Sequence, residues 1–208
     1  MGRYTGPACR RCRREGMKLF LKGDRCRMAK CPIETGRPAP GMHGQRPGKK
    51  TEYGVQLREK QRLRRFYGLQ EGPFRVFFAR ALKRRGVTGE LLLQMLEMRL
   101  DNLVHRFGFA ASRRAARQFV MHGHVAVNGR KVDIPSMILK AGDHVEIRAR
   151  PRSQAYAKQG LEAAQSRELS PWLALDKDGL KGEVVRVPSR DEIGPFVNEQ
   201  LVVELYSK

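Results

Sequence analysis

Apolar residues are sparse over the first fifty positions, where Met17, Leu19, Phe20 and Leu21 stand as the one apolar group. From Thr51 the pattern turns periodic. Thr51 reads as an N-cap, and Tyr53, Leu57, Leu63, Phe66 and Tyr67 fall largely on one helical face, ended by Gly68. Arg58, Lys60, Arg62, Arg64 and Arg65 occupy the other face. A second helix carries Phe74, Phe77, Phe78, Ala81 and Leu82 and stops at Gly86; a third starts after Thr88 with Leu92, Leu93, Met95 and Leu96. Residues 99–108 predict a short helix closed by Gly108. Ser112 caps the next, which runs to His122 before Gly123 with Ala116, Phe119 and Val120 inward and Arg113, Arg114 and Arg117 outward.

The period then changes. Val125 and Val127 alternate, Asn128-Gly129 follows, and Val132 and Ile134 alternate back, the strongest short hairpin signal. Val145-Glu146-Ile147 predicts a further strand. Residues 152–167 read as a helix or loop, and residues 172–175 and 183–187 as a strand pair about the turn at Asp176–Gly179. Residues 198–206 fit a capped helix, with strand as the competitor because Val202-Val203 favours it. The stretch from Gly36 to Gly44 reads as extended linker.

Charge changes this picture. The chain has 208 residues, 42 basic and 21 acidic, for a net charge of +21. Residues 1–50 hold 14 basic and 3 acidic side chains, whereas residues 151–208 hold 8 and 9. So large an excess strains the isolated fold and points to a polyanionic partner, nucleic acid ahead of anionic membrane. No apolar run approaches spanning length and the N-terminus lacks a signal-peptide core, so a cytoplasmic protein with reduced thiols is expected.

All four cysteines lie in the basic front segment, spaced Cys9-x2-Cys12-x13-Cys26-x4-Cys31. Four thiolates can hold one zinc ion tetrahedrally, and the surrounding Arg and Lys offset their charge. A four-iron four-sulfur cluster is the alternative, since it takes the same ligands. Metal binding can supply the folding free energy that this segment cannot obtain from apolar burial. His43 is expected as a loop residue contacting phosphate or water, with a spare metal ligand as the alternative. The Ser112 helix with its three arginines, together with Arg130-Lys131 at the tight turn, makes a compact phosphate-facing surface. Other motifs fail. Gly44-x3-Gly48-Lys49-Lys50 lacks P-loop spacing, Asp176-x-Asp178-Gly179 lacks the remaining calcium ligands, and no nucleophile–base arrangement stands out.

Arg99-Leu100-Asp101-Asn102, Gly108-Phe109-Ala110, Ser112-Arg113-x-x-Ala116-Arg117-Gln118 and His122-Gly123-His124-Val125-x-Val127-Asn128-Gly129 resemble the RNA-binding module named after ribosomal small-subunit protein four. The four-Cys front, Arg58-Glu59-Lys60-Gln61-x-Leu63-Arg64, Tyr67-Gly68, Pro171-Trp172-Leu173 and the ending Asn198–Lys208 extend the resemblance to the bacterial ribosomal family over essentially the whole chain.

The resemblance implies an α+β fold. A basic four-Cys metal-stapled arm (1–45) precedes a small helical domain (46–96, joined by 196–208). An RNA-binding module of helices on a mostly antiparallel β-sheet, with appended hairpins, spans 97–195. It implies a structural constituent of the small ribosomal subunit, not an enzyme, that is a primary binder of 16S ribosomal RNA and nucleates assembly. Contact with small-subunit protein five, with messenger RNA where it enters, an influence on translational accuracy and repression of its own operon are further family properties. No membrane and no small-molecule substrate is expected. Carried onto this chain, the RNA-facing residues are Arg3, Arg10, Arg11, Arg13 and Arg14 of the arm, Arg58, Gln61, Arg62 and Arg65, and Arg113, Arg114, Arg117, His122, His124, Asn128 and Arg130 of the module.

Two competing readings remain. An RNA-modifying enzyme would need a catalytic domain that the roughly sixty residues after the module do not supply. A zinc-dependent DNA regulator is separated by its preference for duplex DNA.

Overall fold

The computed structural model describes residues 2–44, 49, 51–165, 167–194 and 197–207. Gly48 and Lys50 of the rejected phosphate loop, the expected boundaries at 45/46 and 195/196, and the terminal Lys208 lie outside the described residues. The chain divides into two compact units, Met1–Leu92 with Pro195–Lys208, and Leu93–Gly194.

In the first unit, α1 (Ala8–Glu15) follows Pro7 and ends at Gly16, whose φ of 69° suits a residue without a Cβ. Its buried positions, Ala8, Cys12 and Glu15, stand four and three apart and so share one face. A 3-10 turn spans Gly23–Cys26. Leu19 and Leu21 join Ala8 and Cys12 in a small apolar cluster, with Met17, Ile33 and Phe66 packed against it. The stretch expected as linker is not simply extended. Residues 32–36 and 41–44 form turns, and Arg13 Nη1 donates to Pro38 O at 2.8 Å.

Helix α2 (Glu52–Phe66) is capped as expected, with Thr51 Oγ1 accepting from Gly54 N at 3.2 Å. Its buried stripe differs from the apolar pattern. Gln56, Lys60, Leu63 and Tyr67 are buried, while Tyr53 is 58% exposed. The cause is polar pairing. Gln56 Nε2 donates to Glu204 Oε2 (3.0 Å) on α9 (Glu199–Tyr206), and Lys60 Nζ donates to Glu71 Oε1 (2.8 Å) at the start of α3 (Glu71–Leu82). Tyr206 O–H donates to that same oxygen at 2.8 Å. Paired in this way, polar groups can be buried at modest cost. Helix α3 buries Phe74, Phe77, Phe78 and Ala81 as expected but leaves Leu82 exposed. The C-terminal segment is helix rather than strand, capped by Asn198 Oδ1 on Gln200 N (3.0 Å) and buried through Val202.

Helix α4 (Thr88–Glu97) carries the chain into the second unit. There α5 (Leu100–Arg106) packs on α6 (Arg113–Met121), which is capped by Ser112 Oγ on Ala115 N at 3.3 Å. Strands β1 (Val125–Val127), β2 (Arg130–Val132), β3 (His144–Ile147), β4 (Leu173–Asp176) and β5 (Lys181–Val184) form one antiparallel sheet in the order β2-β1-β3-β5-β4. Asn128 (φ 49°) and Gly129 (φ 77°) form the tight turn that pairs Val127 with Arg130. The hairpin read as an appendage, β4–β5, extends this sheet by pairing β5 with β3. Ile134 lies beyond β2 and is 57% exposed. Residues 151–164 resolve the helix-or-loop ambiguity as α7 (Pro151–Ala164), followed later by the short α8 (Arg190–Ile193). The core of this unit joins Leu103, Phe107 and Phe109 to Phe119 and Val120, the inward valines of β1 and β3, and Trp172.

Candidate RNA interface

Two basic surfaces come from different elements. The first is in the arm and α2. Because Ala8, Cys12 and Glu15 turn inward, Arg10 and Arg14 on α1 are left exposed and Arg11 and Arg13 half-exposed. Arg10, Arg11 and Arg14 line a cleft of about 750 Å³ with Tyr4, the 40–44 turn, Arg64 and Arg65. The Arg11 guanidinium lies over the Tyr4 ring at 3.6 Å, a cation–π contact that fixes its plane. His43 also lines this cleft. Five guanidiniums converging on one concavity concentrate positive potential where a phosphate chain could run. Arg3 is exposed and is not part of the lining.

The α2 residues expected to face RNA are partly engaged within the protein. Glu15 has a fully buried side chain that pairs with Arg65 and, at 3.8 Å, with Arg58. Burial pushes its carboxyl pKa above the usual range against the opposing pull of Arg65 and Arg58. Arg62 pairs with Glu59, and Gln61 accepts from Arg64.

The module arginines sort in a similar way. Arg99 donates to both carboxylate oxygens of Asp101 (3.0 and 2.6 Å), and Arg117 Nη1 reaches Asp101 Oδ2 at 3.2 Å. Arg106 forks onto Glu97 (3.0 and 2.7 Å), while Asn102 Nδ2 donates to Glu97 Oε2 at 2.6 Å and accepts at Oδ1 from Arg113 Nε at 2.7 Å. The string Arg99-Leu100-Asp101-Asn102 is therefore a buried polar brace beneath α6. It corrects the expectation that Arg113 and Arg117 lie largely outside: the Arg117 side chain is 13% exposed, and Arg113 is tied to Asn102. Arg114 is half-exposed and Arg130 exposed.

Asn128 is also turned to structural use. Its Oδ1 accepts from His144 N and its Nδ2 donates to Asp143 Oδ1, both at 2.8 Å. His122 is exposed. His124 stacks on Phe119 and lies 2.9 Å from Ser153 Oγ through Nδ1. Burial, then His122 and two nearby arginines, lowers its pKa, which keeps the ring neutral near pH 7.

Three of the cysteines, Cys12, Cys26 and Cys31, are buried and Cys9 is half-buried; all four thiols are free. Burial raises the Cys12 and Cys26 pKa values, and neighbouring thiols add to the rise: Cys26, Cys9 and Cys31 at Cys12, and Cys31 and Cys9 at Cys26. The Lys22 amide donates to Cys26 Sγ at 3.3 Å. Among the described residues, no three His, Cys, Asp or Glu side chains are grouped as a metal site. Thiols are the donor type a soft cation takes, and a bound cation would oppose the rise in their pKa values.

Sequence reasoning did not count Tyr4 or Arg64 among the RNA-facing residues, and it gave Glu97 and Asp101 no bracing role. Arg64 could have been found, since it lies one turn from Lys60 beside Arg65. Nothing in the sequence marks Tyr4.

A basic arm followed along the chain by a helix-and-antiparallel-sheet module, with arginines lining a cleft, is the composition of an RNA-binding protein of ribosomal type. Residues 98–145 match the S4 domain, and residues 3–97 match the Ribosomal protein S4/S9 N-terminal domain. Curated relatives named small ribosomal subunit protein uS4 align along the full length of both chains. They are 55% identical in a Thermoanaerobacter species, 54% in Acidithiobacillus ferrooxidans and 52% in Thermus thermophilus. The chain belongs to the ribosomal protein uS4 family.

Proposed function

We propose that this chain is a structural constituent of the small ribosomal subunit, working in the cytoplasm, that binds small-subunit ribosomal RNA chiefly through phosphates and RNA shape. The observation that carries this is the arginine-lined cleft of α1 and α2 in a chain alike along its whole length to proteins of that name. Duplex RNA hides its base edges in a deep, narrow groove, so convergent guanidiniums serve phosphate contact better than base readout. The reading extends to primary binding of 16S RNA during assembly, contact with small-subunit protein five and with messenger RNA where it enters, an effect on translational accuracy, and repression of its own operon.

We further propose that Cys9, Cys12, Cys26 and Cys31 hold one zinc ion, with a four-iron four-sulfur cluster as the alternative. The bound group would tie the arm together. Mass and absorption measurements on purified protein decide between the two, since a brown cluster absorbs visible light and zinc does not.

Side-by-side titration of the full chain with small-subunit ribosomal RNA and with duplex DNA tests the main reading. Tighter binding to the ribosomal RNA at moderate salt is expected. Equal or stronger binding to DNA would favour the regulator, and modified nucleosides in incubated RNA would favour the enzyme.

A further inference from the structure

A second cleft, of about 480 Å³, lies wholly on the module and has an aromatic wall. Its volume falls in the range of small-ligand sites, roughly 300–1,000 Å³. Helix α7 makes one side by approaching very closely. Ser153, Ala157 and Gly160 form a buried stripe of small residues, and a Cβ at Gly160 would come within 2.7 Å of the Phe109 carbonyl. That approach brings Tyr156 onto Phe119 of α6, with centroids 4.9 Å apart and planes 25° apart. His124 stacks on Phe119 at 4.8 Å and 20°, and His122 stands 6.2 Å from His124.

The three stacked rings grade from core to surface. Phe119 is 5% exposed, His124 half-buried and Tyr156 38% exposed. The fully buried Ser153 hydroxyl, against His124 Nδ1, fixes the tilt of that ring. Exposed Arg152, from the first turn of α7, completes the lining. A preorganised aromatic wall beside a cation is what an unstacked base requires. Every base offers a π-face, and the adjoining phosphate needs a positive partner. A base inside a duplex has both faces covered by its stacked neighbours and cannot enter.

We propose that this cleft takes one unpaired nucleobase of an RNA strand, stacked against Tyr156 and the two histidines, with an adjoining phosphate at Arg152. This rests on the RNA-binding reading above and adds single-strand recognition at a defined place.

The test uses the full chain with three probes: a single-stranded RNA carrying 5-iodouracil, the same strand annealed to its complement, and uridine monophosphate. The single strand is expected to cross-link under ultraviolet light to peptides holding Tyr156, Phe119 or His122. Tyr156→Leu should weaken single-strand binding about 5- to 150-fold, the span of alanine effects on base stacking. Tyr156→Phe should restore it, and duplex binding should change less than twofold. Unchanged thermal melting would show that the Leu variant folds; if it does not fold, cross-link position and the annealed-strand control in the native chain decide. Cross-links elsewhere, equal loss for duplex and single strand, or monophosphate binding as tight as the strand would overturn the proposal while leaving RNA binding intact. Failure of the native chain to bind either RNA would overturn both readings.

Discussion

The module and the arm hold themselves together in different ways. Among the described residues, the module gathers twenty buried residues into one cluster running from Met98 through the sheet to Val184, whereas the arm gathers Ala8, Cys12, Leu19 and Leu21. The module adds a polar brace with every carboxylate forked or shared, at Glu97 and Asp101. The arm has one buried carboxylate, Glu15, and four thiols. Apolar burial at about 25 cal/mol per Å² can carry the module and cannot carry the arm. The arm's remaining stability must come from ion pairs and, on our proposal, from a bound metal. The difference also bears on function. A segment whose side chains are not needed for packing can leave its arginines exposed, and α1 leaves Arg10 and Arg14 so.

Removing a brace carboxylate should break the module most severely. Asp101→Ala leaves Arg99, 1% exposed, as a buried cation without its fork, and a loss of about 3–5 kcal/mol is expected in urea unfolding. An arm substitution should act locally instead. Cys12→Ser is expected to release the metal and open residues 1–40 to protease while the module stays protected. Protection of the arm in metal-free protein would contradict this part of the account.

How much of this was legible beforehand follows the same division. Caps at Thr51, Ser112 and Asn198, the Asn128-Gly129 turn and the apolar faces of α3 and α6 could be read because local geometry dictates them. The α2 stripe could not. Gln56 and Lys60 are buried only because Glu204 and Glu71, distant in sequence, come to meet them. The arginines of the candidate site were visible as residues, but their allegiance was not. Arg65 faces Glu15 and Arg117 faces Asp101 through long-range pairing that no spacing rule encodes. The family string Arg99–Asn102 was legible as a signature while its use as a brace was hidden.

Acid should single out the module by about 2 kcal/mol. His105 is half-buried with Nδ1 3.2 Å from both Ala110 O and Arg167 Nη1, and desolvation, then Arg113 and Arg167, lowers its pKa to about 2. The unfolded chain takes up this proton near pH 6.5 and the folded chain does not. Stability is therefore full above about 6.5 and falls as pH drops toward 2, by about 2 kcal/mol at pH 5. His105→Gln should flatten that limb in pH-dependent melting. A smaller effect is expected from Asn128→Ala. It removes two hydrogen bonds and a residue tolerant of positive φ, for about 1–2 kcal/mol of stability. The salt dependence of RNA binding should be unchanged in that variant.

The most direct measurement is the affinity of the full chain for small-subunit ribosomal RNA across a salt series, repeated with Arg10 and Arg14 both changed to Ala. With about eight phosphates met, the log–log slope should be about −6 or steeper, at roughly −0.7 to −0.9 per contact. The double variant should be shallower by about 1.4 to 1.8 while its module melts as before. A nearly flat titration of the native chain, or a slope untouched by the two substitutions, would contradict the account.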